Sequence, residues 1–576
     1  MKVKLVNKDI RNNYVKELLR EYGIENIDEY LNPSPSVLQI PQDLFNIDRG
    51  YVLYDEVCSR NGNILLIVDS DVDGFTSAAI FYLYTKKKWP DVHIEYRLHS
   101  AKQHGLEDHI DWIEEHPIYD LVVCPDSSSN DFDYHERLQI LGIPVLVLDH
   151  HLTDVDISRN AIVINNQLSA NYDNKDLTGA GVVYQFCRYL DQMYGVNYAD
   201  EFLDLAALGI DGDMGSLLNI ENRYIMLKGF EKINNFFFSV LIDKQSYSMG
   251  GKVTPISVAF YIVPLINAMI RVGEPAEKDR LFRAFIDGMS MVPSNKRGAK
   301  GTEEMVAIES ARECTNAHSH QKKFKEDAVA QLEKKILEYN LLDNKILFIR
   351  LEDEDFPAQL NGLVAMQLAA KYKRPTIVAR LNDEGYDKGS IRGLNDSGLE
   401  SFKDFLTESG LCEYVQGHDN AAGISIEDRN LRALHEYANE ALKDMDFNET
   451  YYDANFERNA IDSDLEAIIK DIAAYPNLWG TNVPEPMIYV KNIRVKPSDI
   501  QIMGKNNNTI KIVNNDIAYM KFFATDMIEE LNGYNEEIVM EVIGRGNLNE
   551  WMGNVTPQIF IESYQIKSKK EDLLEF

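Results

Sequence analysis

The sequence predicts an α/β protein: a parallel-sheet domain, a second α/β lobe joined to it by a long helix, and a C-terminal OB-type β-barrel. Three observations predict it. From about 49 to 300, apolar strand-like runs alternate with helical stretches, the pattern of a doubly wound parallel sheet. The alternation resumes from about 341 to 447. From about 448 to 576, helical segments give way to five short strands (MIYVKNIRV, TIKIV, MKFFAT, EIVMEVIG, QIFIESYQI) separated by Gly/Asn turns, as in a small barrel.

The 576 residues exceed what one core holds, so several domains are expected. A 45% hydrophobic composition marks a folded chain, and the net charge of −33 argues against coating nucleic acid by charge alone. Five scattered cysteines without CxxC spacing speak against a disulfide framework and against thiolate zinc, and suit a reducing cytoplasm. The N-terminus has no signal-type apolar core, and no apolar run approaches the roughly 20 residues of a membrane span, Phe236 to Ile242 being the densest patch. A cytoplasmic protein without membrane contact is the expectation.

Residues 1–48 read as a helical lead-in (Arg11 to Tyr22) ending in NPSPSVLQIP. The strand Ile64 to Val68 then runs into Asp69, Asp71 and Asp73. On an extended segment, spacing by two puts the three carboxylates on one side, and Thr76 or Ser77 would cap the helix Ala78 to Lys88. Such crowding calls for a hard divalent cation, although a solvated Asp-rich turn is the simpler alternative. Three further clusters follow. The strand DLVVC ends at Asp126, IPVLVL ends at Asp149, His150 and His151, and the helix Glu201 to Leu208 leads into Asp211 and Asp213. Oxygen-rich ligands with imidazole favour Mn²⁺ or Mg²⁺ over Zn²⁺. Open α/β sheets place their sites at strand carboxyl ends, as here.

A polar helix, Gln321 to Tyr339, within 301–340 reads as a connector. The second lobe carries two Gly-flanked motifs, GSIRG (Gly389 to Gly393) and GHDNAAG (Gly417 to Gly423), whose Arg392 and His418 would bind phosphate. In the last domain, Lys491, Arg494, Lys496, Lys505, Lys511 and Lys521, with Tyr489, Phe522 and Trp551, offer a basic, aromatic face suited to single strands; an ordinary β-domain with core aromatics is the alternative.

With DSDVDG, PDSSS, LDHH and Asp213 taken together, the chain resembles the DHH phosphoesterase superfamily, and within it the RecJ-like single-strand-specific exonucleases. LTGAGV at Leu177 to Val182, PLINAMIR at Pro264 to Arg271 and GNLNEWMGNVTPQIFIE extend the likeness over nearly the whole chain. Three departures stand out: Leu265 where the family has Arg, QHGL at Gln103 to Leu106 in place of a Gly-Tyr-Gly-like turn, and Ser127 to Ser129 where a Gly is usual.

The resemblance implies a two-metal 5′→3′ exonuclease on single-stranded DNA, with two Mn²⁺ or Mg²⁺ ions held by Asp69, Asp71, Asp73, Asp126, His150 and Asp213. Asp126 would bridge the ions, His151 would meet the substrate phosphate, and Asp149 would orient a histidine. Asn267, Arg271, Arg392 and His418 would hold phosphates. It further implies a lead-in at 1–48, a DHH domain at 49–300, a connecting helix at 301–340, a DHHA1-type lobe at 341–447 and an OB-like nucleic-acid-binding domain at 448–576. A single-strand-binding protein or a helicase is the implied class of protein partner. Two other functions fit the sequence: a DHH phosphodiesterase for short oligonucleotides or cyclic dinucleotides, and a catalytically inactive binding scaffold.

Overall fold

The computed structural model describes the chain except residues 8, 100–102, 154–156, 300, 353–355, 395–396, 448–449, 552 and 568–576; the Trp551 side chain also lies outside the described part. The chain forms two compact units, one of residues 28–322 with 477–484, the other of 1–27, 323–476 and 485–576. The stretch 1–48 is thus divided between them.

The first unit is built on a five-stranded sheet in the spatial order His93–Leu98, Asn63–Val68, Leu121–Pro125, Val145–Asp149, Ile162–Asn165, with every neighbouring pair parallel. The inner strands read as continuous apolar runs because both of their faces are buried. On one face Leu65, Ile67, Val122, Cys124, Val145 and Val147 share a core with Leu106, Ile110 and Ile113. Helices Val72–Lys88 and Gly179–Tyr194 pack on the sheet, and helix Val72–Lys88 also meets helices Leu203–Gly212, Val263–Val272 and Pro275–Ile286. This central helix, apolar nearly all round, is therefore enclosed.

Several boundaries differ from the sequence expectation. The central helix begins at Val72, not Ala78, because Asp71 is its cap: the Asp71 carboxylate accepts from the Gly74 backbone N–H at 3.0 Å. Thr76 and Ser77 lie inside the helix, and Thr76 bonds back to the Val72 carbonyl. Strand His93–Leu98 has no apolar signature, since it is an edge strand carrying Glu95 and Arg97. The stretch Pro255–Val272 has the length and mean hydropathy (1.6) of a membrane span, more than the sequence reading allowed. It folds as two helices, Pro255–Tyr261 and Val263–Val272, and is 56% buried.

In the second unit, strands run in the order Cys412–His418, Ala421–Glu427, Tyr386–Arg392, Thr376–Leu381, Leu347–Arg350 over a core that includes Ile377, Ile391, Phe402 and Leu434. GSIRG is therefore mostly strand, and GHDNAAG is a hairpin. A seven-stranded mixed sheet follows, in the order Phe456–Asn459, Met487–Val495, Ile538–Trp551, Asn554–Lys567, Ile517–Lys521, Thr509–Asn514, Ile500–Met503. Its fifth strand in that order stops at Lys521, so Phe522 and Phe523 of MKFFAT are exposed residues before helix Thr525–Asn532. The connecting helix is longer than expected, Val306–Glu338.

The N-terminus is stitched to this unit. Strand Lys2–Leu5 pairs in parallel with Tyr451–Ala454. The buried Arg458 guanidinium donates to both oxygens of Asp464 (3.0 and 2.9 Å), to Asp9 (3.1 Å) and to the Ile10 carbonyl. Arg458→Met leaves these acceptors without their donor. It should cost about 3 kcal/mol in denaturant unfolding, the low end for a broken buried ion pair because Asp9 is half-exposed. Limited proteolysis should then cut first within residues 1–27.

Candidate metal centre

Four segments at the carboxyl ends of the inner strands and at helix termini converge. Asp69 follows strand Asn63–Val68, and Asp73 lies in the first turn of the central helix, so the three motif carboxylates gather at a strand-to-helix junction rather than on an extended segment. Asp126 follows Leu121–Pro125, Asp149 ends its strand, and Asp213 ends helix Leu203–Gly212. His150 Nε2 stands 3.2 Å from Asp126 Oδ1, 3.6 Å from Asp213 Oδ2 and 3.9 Å from Asp73 Oδ2. Ligand atoms of Asp69, Asp71 and Asp126 lie within 4.8 Å of one another; so do those of Asp73, His150 and Asp213, and those of Asp126, Asp149, His150 and His151.

Backbone donors fix two of these groups. Asp73 is buried and accepts from the Gly179 and Ala180 N–H groups (2.7 and 2.9 Å) and from Thr178 Oγ1 (3.0 Å), so the start of helix Gly179–Tyr194 aims its positive end at this carboxylate. That is the task of the TGAG run. Asp149 accepts from the Ser129, His150 and His151 N–H groups and from His151 Nδ1 at 2.7 Å. Asn165 adds its amide to the Ser129 hydroxyl and the His151 carbonyl, both at 2.9 Å. Asp126 sits at φ 63 and Ser128 at φ 78, left-handed conformations that only the tight turn after the strand explains.

The electrostatics are unbalanced. Burial, followed by the charges of Asp73, Asp71 and Asp69, pushes Asp126 well above the usual carboxylate range. Burial also raises Asp69 and Asp73, outweighing the neighbouring imidazoles. Burial lowers His150. Asp149 behaves oppositely: burial raises it, but its bond to His151 and the imidazole charges hold it below the usual range. Burial alone would lower His151; the Asp149 bond and charge raise it to about 9. Asp69 Oδ1 and Asp126 Oδ1 are buried without a hydrogen-bond partner among the described residues. An oxygen-rich donor set with one imidazole, orphaned buried oxygens and uncompensated negative charge together fit hard divalent cations.

The chain leaves no slack here. A Cβ on Gly179 would stand 2.5 Å from Asp126 Cβ, and one on Gly209 would stand 2.4 Å from both Asp73 Oδ1 and Ala180 Cβ. A polar cavity of about 170 Å³ opens beside His150 and Asp213, lined also by Lys175, Thr178, Ser216 and Asn482.

The candidate phosphate binders are spread over both units. Asn267 and Arg271 share helix Val263–Val272, and the charge of Asp71 acts on the Arg271 guanidinium, which burial lowers. In the second unit, Arg392 and His418 are each opposite Ala421 in register, on neighbouring strands to either side, so they share one face of that sheet. The basic face of the last domain is partly neutralised: Lys491 pairs with Glu457, Arg494 and Lys496 approach Glu537, and Lys521 bonds two carbonyls. Tyr489 is buried and bonds Glu541, so it belongs to the core rather than to that face, whereas Phe522 is exposed.

The sequence does not single out His99, and it shows His104 only as part of the QHGL turn with no role, although both approach Asp69. His99 follows strand His93–Leu98, whose charged, edge-type pattern hides it; recognising that strand would have placed a histidine at its carboxyl end.

Residues 63–210 match the DHH family, N-terminal domain, and residues 452–563 match the RecJ OB domain. The chain is 37% identical to the putative SPbeta prophage-derived single-strand DNA-specific exonuclease YorK of Bacillus subtilis, over 97% of each chain. It is 24% identical to the single-stranded-DNA-specific exonuclease RecJ of Haemophilus influenzae, over 86% of each. The crystal structure of RecJ in complex with Mn²⁺ from Thermus thermophilus superposes with a TM-score of 0.73 at 17% identity, covering 99% of this chain and 80% of that one.

A carboxyl raised by folding destabilises the fold at every pH above its unfolded value, and the penalty is complete above the folded one. Asp126→Asn should therefore raise the melting temperature of chelator-treated protein at pH 8. It should also remove the further rise that Mn²⁺ gives the wild type. A lower melting temperature would show that the carboxylate is not in conflict with its surroundings.

Proposed function

The chain belongs to the RecJ-like single-strand-specific exonuclease family of DHH proteins, and from that premise we propose that it is a divalent-metal-dependent nuclease digesting single-stranded DNA from the 5′ end. The observation that carries the reading is Asp126: one buried carboxylate shared between two clusters of possible metal ligands, with an oxygen that has no hydrogen-bond donor among the described residues and has His150 Nε2 beside it, 3.2 Å away.

Asp69, Asp71 and Asp126 would hold one cation, and Asp126, Asp73, His150 and Asp213 the other. Two bound Mn²⁺ or Mg²⁺ ions would supply an activated water and stabilise the leaving oxygen of an in-line displacement at phosphorus. Asp149 orients His151 through Nδ1, leaving the protonated ring to donate from Nε2 to a phosphate oxygen. Asp73 needs no adjustment on binding, because three donors from Thr178, Gly179 and Ala180 already fix its plane. Asn267 and Arg271, and on the second unit Arg392 and His418, would hold backbone phosphates; guanidinium is suited to this by its paired N–H groups. Residues 341–447 then serve as the substrate-holding lobe, and 448–576 as the domain that keeps hold of the strand. That last domain favours a long strand over a dinucleotide.

Single strands labelled at one end or the other should release labelled mononucleotide early only from the 5′-labelled form, with Mn²⁺ and not with chelator. Asp126→Ala should bring release to background. Arg271→Ala should lower kcat/KM by about 10–100-fold, the worth of a charge-assisted hydrogen bond. Equal turnover of a dinucleotide and a long strand would instead favour a short-oligonucleotide phosphodiesterase. Wild-type cleavage by Asp126→Ala would refute the ligand assignment.

A further inference from the structure

We propose that His104 is a positioning residue that pins the Asp69 carboxylate, binding one of its oxygens so that the other is presented to a cation. The inference rests on the cation-binding reading above and concerns a turn in which this chain departs from its family.

Asp69 is fully buried, and its two oxygens are treated differently. His104 Nδ1 donates to Oδ2 at 2.6 Å. Oδ1 has no hydrogen-bond partner among the described residues, and His99 Nε2 stands 3.8 Å from it. The His99 ring is itself buried and stands 3.5 Å from Asp108 through Nδ1, so it backs Asp69 without bonding it. A short aspartate side chain can otherwise rotate its carboxylate plane about the Cβ–Cγ bond. The His104 bond fixes that plane and leaves Oδ1 as the oxygen without a hydrogen-bond partner among the described residues, while Asp69 offers an oxygen to the group it forms with Asp71 and Asp126.

The turn carrying His104 is mounted on both sides of that residue. Before it, the Ser70 hydroxyl donates to the Gln103 carbonyl at 2.7 Å, tying the turn to the residue next to Asp69. After it, Gly105 lies at φ 72, and a Cβ there would stand 2.3 Å from Asp131 Oδ2, which accepts from the Leu106 N–H at 2.8 Å. The imidazole is half-exposed, and its ring centre is 6.2 Å from that of His151. A half-exposed ring contributes little to the core, so what its removal should chiefly affect is the Asp69 carboxylate it holds. A tyrosine-type turn at this position would supply no nitrogen at the Nδ1 position, so this hold on Asp69 comes with the histidine.

Full-length wild type, His104→Ala and His104→Asn, stripped of metal, would be titrated with Mn²⁺ by calorimetry while electron paramagnetic resonance counts the free ion. The wild type should bind two ions. His104→Ala should retain one near wild-type affinity and weaken the other by about 10–100-fold, with the far-UV circular dichroism of the wild type. His104→Asn, whose amide N–H can occupy the Nδ1 position, should recover most of the loss. Wild-type affinity in His104→Ala would overturn the proposal, and so would an asparagine variant as weak as the alanine one. No binding by the wild type would instead overturn the cation reading on which the proposal depends.

Discussion

The structure depends on one constraint: carboxylates from distant parts of the chain must be held together, out of water, before anything neutralises them. Asp69, Asp73 and Asp126 are each almost wholly buried, and burial is the leading cause of the raised carboxyl in all three. The fold meets this constraint largely with backbone, the His151 imidazole on Asp149 being the exception. A helix N-terminus faces Asp73, and successive N–H groups face Asp149. Lysine or arginine in those places would compensate the charge permanently and leave nothing for a metal to do. Backbone dipoles hold the carboxylates in position and leave them short of positive charge.

That choice explains where the small residues are. Helix Gly179–Tyr194 can present its first N–H groups to Asp73 only if its first residue clears Asp126, and Gly209 must clear Asp73 and Ala180 together. Three elements therefore meet at a distance that a single methyl group would disturb. The parallel sheet contributes the remainder: strands fixed in register by apolar faces on both sides deliver Asp69, Asp126 and Asp149 at one edge. Packing sets the geometry, and the chemistry uses it.

Much of this was legible in the sequence, for physical reasons. Buried parallel strands are apolar throughout, so Asn63–Val68, Leu121–Pro125 and Val145–Asp149 appear as runs, and the acidic residues that end them stand out. Elements with one exposed side were harder to see. Strand His93–Leu98 carries charge along a sheet edge, and with it went His99. The start of the central helix was misplaced because Asp71 serves as both cap and cluster member, and a ligand motif hides a capping signal. Tyr489 looked like a stacking residue but is buried against Glu541, since composition alone does not separate a core aromatic from a surface one. The pairing of residues 2–5 with 451–454 spans a sequence separation that no local pattern reports.

The central claim is that these side chains form a two-cation centre with Asp126 shared between the ions. The most direct measurement is an anomalous difference map from crystals of the chain grown with Mn²⁺. The account predicts two peaks about 3.5–4 Å apart, one against Asp69 and Asp71, the other against Asp73, His150 and Asp213, with Asp126 touching both. Peaks elsewhere on the acidic surface, with this cluster empty, would contradict it.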